Sequence, residues 1–169
     1  MNKIKKILFV CTGNSCRSIM AEGLMKDALK GLGKKDKEDI EVSSAGVSAI
    51  DGFHPMRETV EAMKSEGVDV SGFQSRGLTD KIIRDSDLIL VMAAHHMDDI
   101  IKRVPEAASK THMLKQYGRI DNSRACEDLD ISDPIGKPIG VYEEVLGEIK
   151  KEVERIAHVI ARSDSDEAI

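Results

Sequence analysis

An apolar strand that runs straight into a small, polar loop and then a helix is the feature that most restricts this chain's fold. The strand is the run ILFV at residues 7–10, a composition typical of strands buried on both faces of a parallel sheet. The loop that follows, residues 11–18, has the sequence CTGNSCRS. Apolar residues then recur every three or four positions to about Leu32, which predicts an amphipathic helix.

The rest of the chain repeats this alternation of strands and helices. Further strands are predicted from Ile40 to Ser44, from Leu88 to Val91 and, more weakly, from Thr111 to Leu114. Helices are predicted with apolar faces formed by Met56, Thr59, Val60 and Met63, by Met97, Ile100, Ile101 and Val104, and by Tyr142, Val145, Leu146, Ile149, Val153, Ile156 and Ile160. Such alternation predicts an α/β fold with a parallel sheet covered on both faces. Ligands of such sheets bind beyond the carboxyl ends of the strands, and the first strand ends at Cys11.

Composition favours one domain. With 169 residues, 41% of them hydrophobic, we expect a single domain over residues 1–162 and a disordered acidic tail over 163–169. The net charge of −5 argues against a nucleic-acid partner. The apolar run near the N-terminus is shorter than a signal-peptide core, and no stretch is long enough to span a bilayer. We therefore expect a cytoplasmic monomer with no membrane partner.

The loop has the features of a phosphate-binding site. Backbone N–H groups at a helix N-terminus converge on oxyanions, and Gly13 permits a tight turn. The planar guanidinium of Arg17 can bind two phosphate oxygens at once and stabilise charge on them in a transition state. The predicted phosphate-binding residues are Thr12, Gly13, Asn14, Ser15, Cys16, Arg17 and Ser18.

Cys11 is the predicted nucleophile. Helix N-termini and nearby cations favour the thiolate form of a cysteine, and Ser18 is placed to donate a hydrogen bond to that sulfur. In-line attack on phosphorus would give a phosphocysteine intermediate and split hydrolysis into two easier steps. A non-catalytic phosphate-binding module would keep Arg17 but would not need Cys11.

A general acid is also required, and the long polar stretch from Gly118 to Gly140 offers candidates. Asp133 is the preferred one, because Pro134 restricts the preceding backbone and helps present the carboxylate in a fixed direction. Asp121, Asp128 and Asp130 are the rivals that chemistry alone leaves open.

These residues resemble the low-molecular-weight protein tyrosine phosphatases. CTGNSCRS contains the cysteine and arginine of that family, and Asp133-Pro134 matches its acid element. SSAG at residues 43–46, LTD at 78–80 and DLILVM at 87–92 extend the resemblance over nearly the whole chain. It implies a single-domain three-layer αβα fold with a four-stranded parallel sheet, flavodoxin-like or phosphotyrosine phosphatase I-like, without metal or organic cofactor. It also implies that Asn14 braces the loop, supported by Ser44, and that Ser18 stabilises the thiolate.

The expected substrate is a phosphorylated protein, but two departures leave the phosphorylated residue open. Thr12 and Ser15 are small where phosphotyrosine-selective members carry bulky side chains, and Ile135-Gly136 replaces the aromatic residues that commonly follow Asp-Pro. Phosphotyrosine is the first expectation, with phosphoarginine as the alternative, since members acting on phosphoarginine have threonine at the position of Ser15. Related arsenate reductases need two more cysteines near the end of the third strand, where this chain has MAAH at residues 92–95.

Several other residues invite functional interpretations. Cys16 could form a reversible disulfide with Cys11 that protects the nucleophile, whereas Cys126 is expected to be a surface residue. Tyr142 could either line the site or pack the last helix. We expect no metal site, because the candidate ligands lack a metal-binding spacing. Those candidates are His95, His96, Asp98 and Asp99.

Overall fold

A computed structural model describes residues 3–32, 39–120 and 128–166 of the chain. Its four strands are β1 (Lys6–Cys11), β2 (Glu41–Gly46), β3 (Leu88–Val91) and β4 (Thr111–Met113). They form one parallel sheet in the order β2-β1-β3-β4. The register pairs Cys11 with Gly46 and Val10 with Val91, so that the ends of the three longest strands meet at one edge. The predicted parallel sheet is therefore confirmed.

Helices cover both faces of the sheet. They are α1 (Arg17–Gly31), α2 (Arg57–Ser65), α3 (Asp80–Asp85), α4 (Ala94–Arg103) and α5 (Ile139–Asp166), with a 3₁₀ helix at Pro105–Lys110. In β1, Ile7 and Phe9 pack with residues of α1, α2 and α5, whereas Leu8 and Val10 pack with residues of α3 and α4. This alternation of buried side chains is the strand period, and it produces the predicted three layers.

The predicted apolar stripe of α5 is confirmed, since all seven of its residues are buried. The helix continues to Asp166, so the first residues of the segment predicted as a disordered tail are helical, and residues 167–169 lie outside the described ones. None of the described helices is both long enough and apolar enough to cross a bilayer.

The predicted face of α2 is partly wrong. Met56 precedes the helix with a ψ of 142°, so its side chain does not follow the helical period of Thr59 and Met63, and it is 36% exposed. Its N–H donates to the carbonyl of Ser15 in the loop. Thr59 and Met63 are buried as predicted, and Ala62 is buried beside them.

Candidate active site

The loop between β1 and α1 is held by its own carbonyl groups. The carbonyl oxygens of Cys11, Thr12 and Ser15 accept backbone hydrogen bonds of 2.9, 2.9 and 3.2 Å from the segment 47–56. In a trans peptide the N–H of the next residue points the opposite way from the carbonyl. The corresponding N–H groups are thus directed to the other side of the loop, where an oxyanion at the start of α1 would lie.

Asn14 braces this loop. Its backbone adopts a left-handed conformation with φ of 51°, which is uncommon for a residue with a side chain. The side-chain amide nitrogen donates to Ser18 Oγ at 2.8 Å and to Ser44 Oγ at 2.9 Å, and Oδ1 accepts from the Arg76 N–H at 2.9 Å. The loop is therefore tied to α1, to β2 and to the segment before α3.

The sulfur of Cys11 lies 2.9 Å from Ser18 Oγ, and both residues are buried. Because Ser18 Oγ already accepts a proton from Asn14, its own hydroxyl proton remains available for the sulfur. A hydroxyl that donates to sulfur stabilises a thiolate more than a thiol, and the thiolate is the nucleophilic form of a cysteine. This geometry suits the nucleophile expected from the sequence.

Arg17 begins α1 and its side chain is only 4% exposed. One terminal nitrogen, Nη1, donates to the carbonyl of Ile131 at 2.8 Å. The other, Nη2, lies 3.4 Å from Oδ2 of Asp133. The guanidinium therefore connects the loop to the segment that follows β4 along the chain.

Asp133 stands at this junction with its side chain 43% exposed, and Oδ1 accepts the N–H of Ile135 at 3.1 Å. Of its rivals, Asp130 caps the first residue of α4, accepting the Ala94 N–H at 2.9 Å. Asp128 accepts the N–H of Asp130, and Asp121 lies outside the described residues. Among the described candidates, Asp133 is the one that pairs with Arg17.

The segment before Asp133, residues 128–132, is fixed to the fold. Lys115 donates to the carbonyl of Asp130 at 3.0 Å and pairs with Glu148 of α5 at 3.2 Å. The N–H of Ile131 donates to the carbonyl of Met92 at 2.7 Å, just beyond β3. Asp133 is thus held near Arg17 by bonds to the sheet and to α5.

Cys16 lies behind the loop, fully buried, with Tyr142 Oη 4.0 Å from its sulfur. Burial raises the pKa of the Cys16 thiol, and the nearby Cys11 adds to the rise. Tyr142 is also buried, and this burial raises its pKa. Its contact with Cys16 shows that its side chain packs α5 against the loop. Cys126 lies outside the described residues.

His96 lies in the first turn of α4 and contacts the loop through Thr12. Its Nε2 lies 2.9 Å from Thr12 Oγ1, and burial, with the charges of His95 and Arg17, lowers its pKa to about 3. Its Nδ1 is buried without a hydrogen-bond partner among the described residues. In the described part of the chain, no group of three His, Cys, Asp or Glu side chains is arranged to hold a metal ion.

The sequence interpretation did not place Glu22 or Arg76 in this site, and it considered Asp130 only as a rival general acid and His96 only as a candidate metal ligand. Glu22 follows Ser18 by one helical turn, so the spacing on α1 could have indicated a shared face. The other three come from distant segments whose proximity only the fold reveals.

The αβα fold, with a buried cysteine at the end of a central strand and an arginine at the start of the next helix, defines a protein of the cysteine-dependent phosphatase class. The family model described as low molecular weight phosphotyrosine protein phosphatase matches residues 6–166. The chain belongs to this family.

Two similar sequences and one similar solved structure carry the names of both a tyrosine phosphatase and an arginine phosphatase. A protein-arginine-phosphatase from Geobacillus stearothermophilus is 36% identical over 152 residues, covering 90% of this chain and 93% of the relative. A probable low molecular weight protein-tyrosine-phosphatase, EpsP, from Ralstonia solanacearum is 36% identical over 151 residues, covering 89% and 92%. The solved structure of the YwlE arginine phosphatase from G. stearothermophilus superposes with a TM-score of 0.80 at 34% identity, covering 95% and 96%.

Proposed function

We propose that this chain is a protein phosphatase that hydrolyses phosphotyrosine through a phosphocysteine intermediate. The observation that carries the proposal is that Arg17, from the loop that contains Cys11, pairs with Asp133, which lies in a distant part of the chain. Cys11 lies 2.9 Å from the Ser18 hydroxyl, and Arg17, one residue earlier on the same helix, lies 3.4 Å from Asp133. A nucleophile, a phosphate-binding cation and a proton donor are what two-step phosphoryl transfer requires.

In the first step, the loop N–H groups and Arg17 bind the non-bridging phosphate oxygens. The Cys11 sulfur attacks phosphorus, so that the S–P bond forms and the bond from phosphorus to the leaving phenolic oxygen breaks. Asp133, protonated, gives its proton to that oxygen. The exposure of Asp133 supports this role, because the leaving group is attached to a protein surface outside the loop.

In the second step, Asp133 is ionised and removes a proton from a water molecule. The water oxygen attacks phosphorus, the S–P bond breaks, and phosphate and the Cys11 thiolate are released. The hydroxyl of Ser18 supports the sulfur as a leaving group, since it can donate to the developing negative charge.

The proposal of an enzyme, as opposed to a phosphate-binding module, is tested with Cys11→Ser. We expect turnover of p-nitrophenyl phosphate to fall about 10⁴-fold or more, because the variant lacks the thiolate. Tungstate binding, measured by calorimetry, should be kept because the loop and Arg17 remain. Turnover in the variant near that of the unsubstituted protein would refute cysteine catalysis.

Phosphoarginine is the second candidate substrate, and the loop side chains favour it. Thr12 and Ser15 are small, polar and partly exposed, and the Thr12 hydroxyl is hydrogen-bonded to His96. A flexible guanidine with several N–H groups suits hydroxyl neighbours better than the flat face of a phenol does. The similar sequence and the similar solved structure from G. stearothermophilus reported above are both named arginine phosphatases.

Apolar side chains near the loop favour phosphotyrosine. Ile50 and Phe53 are exposed in the segment that binds the loop carbonyls, and Ile135 is 46% exposed just after Asp133-Pro134. Exposed apolar groups of this size can contact a phenol ring.

Matched peptides carrying phosphotyrosine or phosphoarginine at the same position decide between the two substrates. We expect kcat/KM to be higher for phosphotyrosine, and Ser15→Ile to increase that preference by about tenfold through added apolar contact. A much higher kcat/KM for phosphoarginine would replace the first candidate by the second.

We also propose that the protein acts as a monomer in the cytoplasm. Light scattering after size-exclusion chromatography tests the monomer, and fractionation of the source cells tests the location.

A further inference from the structure

Asp130 is a carboxylate three residues before Asp133 that the proposed reaction does not use. Its Oδ1 accepts the backbone N–H of Ala94 at 2.9 Å, so it caps α4 from another part of the chain. Ala93, at the N-cap position of α4, has no polar side chain that could bind this N–H. A carboxylate also carries the charge that a helix N-terminus favours. The bond between Asp130 and Ala94 therefore joins the segment of the proposed acid to the start of α4.

The start of α4 is in turn fixed to the phosphate-binding loop. His96 is fully buried, and its Nε2 lies 2.9 Å from Oγ1 of Thr12, the residue after Cys11. Just before the helix, the N–H of Met92 donates to a carbonyl of β1 at 3.1 Å. Asp130 is thus attached to the same part of the fold that positions the nucleophile.

The other hydrogen bonds of this segment leave it able to turn. The N–H of Ile131 donates to the carbonyl of Met92 at 2.7 Å, and its carbonyl accepts from Arg17 at 2.8 Å. Both bonds are made by one residue, so they fix its position but allow the chain to pivot about it. Lys115 binds the carbonyl of Asp130 at 3.0 Å, but its long side chain can follow such a movement. The short side chain of Asp130, bound to a backbone group, is better placed to resist the pivot.

We propose that Asp130 is a positioning residue that holds Asp133 at the entrance of the loop, where its proton can reach the leaving group. Asp133 is exposed, and its Oδ2 lies 3.4 Å from the guanidinium of Arg17, so rotation of the segment would move the carboxyl group away from the site. Misplacement of a reacting group by about 1 Å can cost about 10²-fold in rate. Without the cap, Asp133 spends less time in its productive position, while Cys11 and Arg17 keep theirs. The inference rests on the proposed function in taking Asp133 as the general acid.

The experiment compares kcat/KM for phenyl phosphate with kcat/KM for p-nitrophenyl phosphate, because the first ester depends more strongly on protonation of its leaving group. In Asp130→Ala we expect about a tenfold loss for phenyl phosphate and less than about a twofold loss for p-nitrophenyl phosphate. Asp130→Asn retains a side-chain oxygen that accepts the Ala94 N–H, so both values should stay near those of the wild type. Equal losses on the two esters in Asp130→Ala, or the same selective loss in Asp130→Asn, would overturn the proposal.

A double-mutant cycle shows whether Asp130 acts through Asp133. Adding Asp130→Ala to Asp133→Asn should cause no further loss on phenyl phosphate, since the proton donor is already absent. A further loss of about tenfold in the double variant would contradict this inference alone. Asp133→Asn without any dependence on the leaving group would refute the general acid of the proposed function, and this inference with it.

Thr79→Ala is the matched control for stability, because it removes a side-chain cap from the start of α3. It should lower the midpoint of urea unfolding, as Asp130→Ala does, but leave both kcat/KM values unchanged. A selective loss on phenyl phosphate in Thr79→Ala would show that lost stability alone produces the effect, and the positioning role of Asp130 would be abandoned.

Discussion

Arg17 and Asp133 form an ion pair of 3.4 Å between the first residue of α1 and the segment that precedes α5. The guanidinium is buried whereas the carboxylate is half exposed, so the pair joins the interior of the loop to its entrance. The same guanidinium binds the carbonyl of Ile131, two residues before Asp133. One side chain therefore orients both the phosphate-binding loop and the residue proposed as its general acid.

Replacing Asp133 by Asn should have an effect that depends on the leaving group. Phenolate leaves poorly without a proton, so kcat for phenyl phosphate should fall about 10²- to 10³-fold. The loss for p-nitrophenyl phosphate should be much smaller, because its leaving group is more stable. Steady-state kinetics with both esters checks the prediction.

Asp128→Asn is the control for Asp133, since asparagine can still accept the N–H of Asp130. It should leave both rates unchanged. Equal losses on the two esters in Asp133→Asn would contradict a role in protonating the leaving group.

His96 should make the protein less stable in acid. Its pKa is about 3 in the folded chain, against about 6.5 for an unperturbed histidine, so below pH ~6.5 the unfolded state binds the extra proton. The free energy of unfolding should therefore fall by up to about 1.4 kcal/mol for each pH unit between these values. Urea unfolding at about pH 7 and about pH 5 should show a smaller fall in His96→Gln.

The exposed His158 of α5 offers a matched control. His158→Gln should keep the pH dependence of the wild-type chain. If the free energy of unfolding fell as much with pH in His96→Gln as in the wild type, groups other than His96 would cause the loss of stability in acid.

Gly46 is expected to tolerate no side chain. It ends β2 opposite Cys11, and a methyl group there would lie 2.5 Å from the carbonyl oxygen of Thr12 and 2.8 Å from the nitrogen of Asn14. Gly46→Ala should therefore lower the free energy of unfolding by about 1–3 kcal/mol and reduce kcat by displacing the loop. Urea unfolding and steady-state kinetics measure the two effects.

Gly147, in the exposed part of α5, has open space around its Cα, so it serves as the comparison. Gly147→Ala should raise stability by about 0.5–1 kcal/mol because alanine favours the helix, and activity should not change. If Gly46→Ala left both the free energy of unfolding and kcat unchanged, the loop would be shown to move away from β2 without cost.

Cys16 should protect the nucleophile during oxidation. Peroxide converts the Cys11 thiolate to a sulfenic acid, which can condense with the Cys16 thiol to give a disulfide and water. Burial raises the pKa of Cys16, so Cys11 should be oxidised first. Activity lost to peroxide should return with dithiothreitol in the wild type and remain lost in Cys16→Ser.

Cys126→Ser is the control for this experiment, and it should recover as the wild type does. Mass spectrometry of the wild-type protein should find the Cys11–Cys16 disulfide before reduction. Failure of dithiothreitol to restore wild-type activity would exclude the protective role.

Much of the fold was accessible from the sequence because its central elements carry strong patterns. The apolar runs of β1 and β3 and the long stripe of α5 are buried on the faces that their periods predict. The helix α3 was not predicted because it has only six residues and mostly polar ones, and its start depends on Thr79, whose hydroxyl accepts the N–H of Ile82.

The residues of the candidate site also include some that the sequence predicts and some whose contacts it does not. Cys11, Arg17 and Ser18 could be predicted because they lie within one short segment whose strand and helix were evident. The contacts made by Asp130 and His96 could not be predicted, because they depend on β3, α4 and the loop meeting at one sheet edge. The charges and the spacing of residues in the sequence do not indicate that these three elements lie side by side.

The outward-facing carbonyls of the loop have a consequence for turnover in solution. A loop whose carbonyl groups are already bonded within the protein needs little ordering when an oxyanion binds, so we expect free orthophosphate to compete with the phosphorylated substrate and to inhibit the enzyme as a product. The rate of such an enzyme depends on the orthophosphate around it as well as on its substrate.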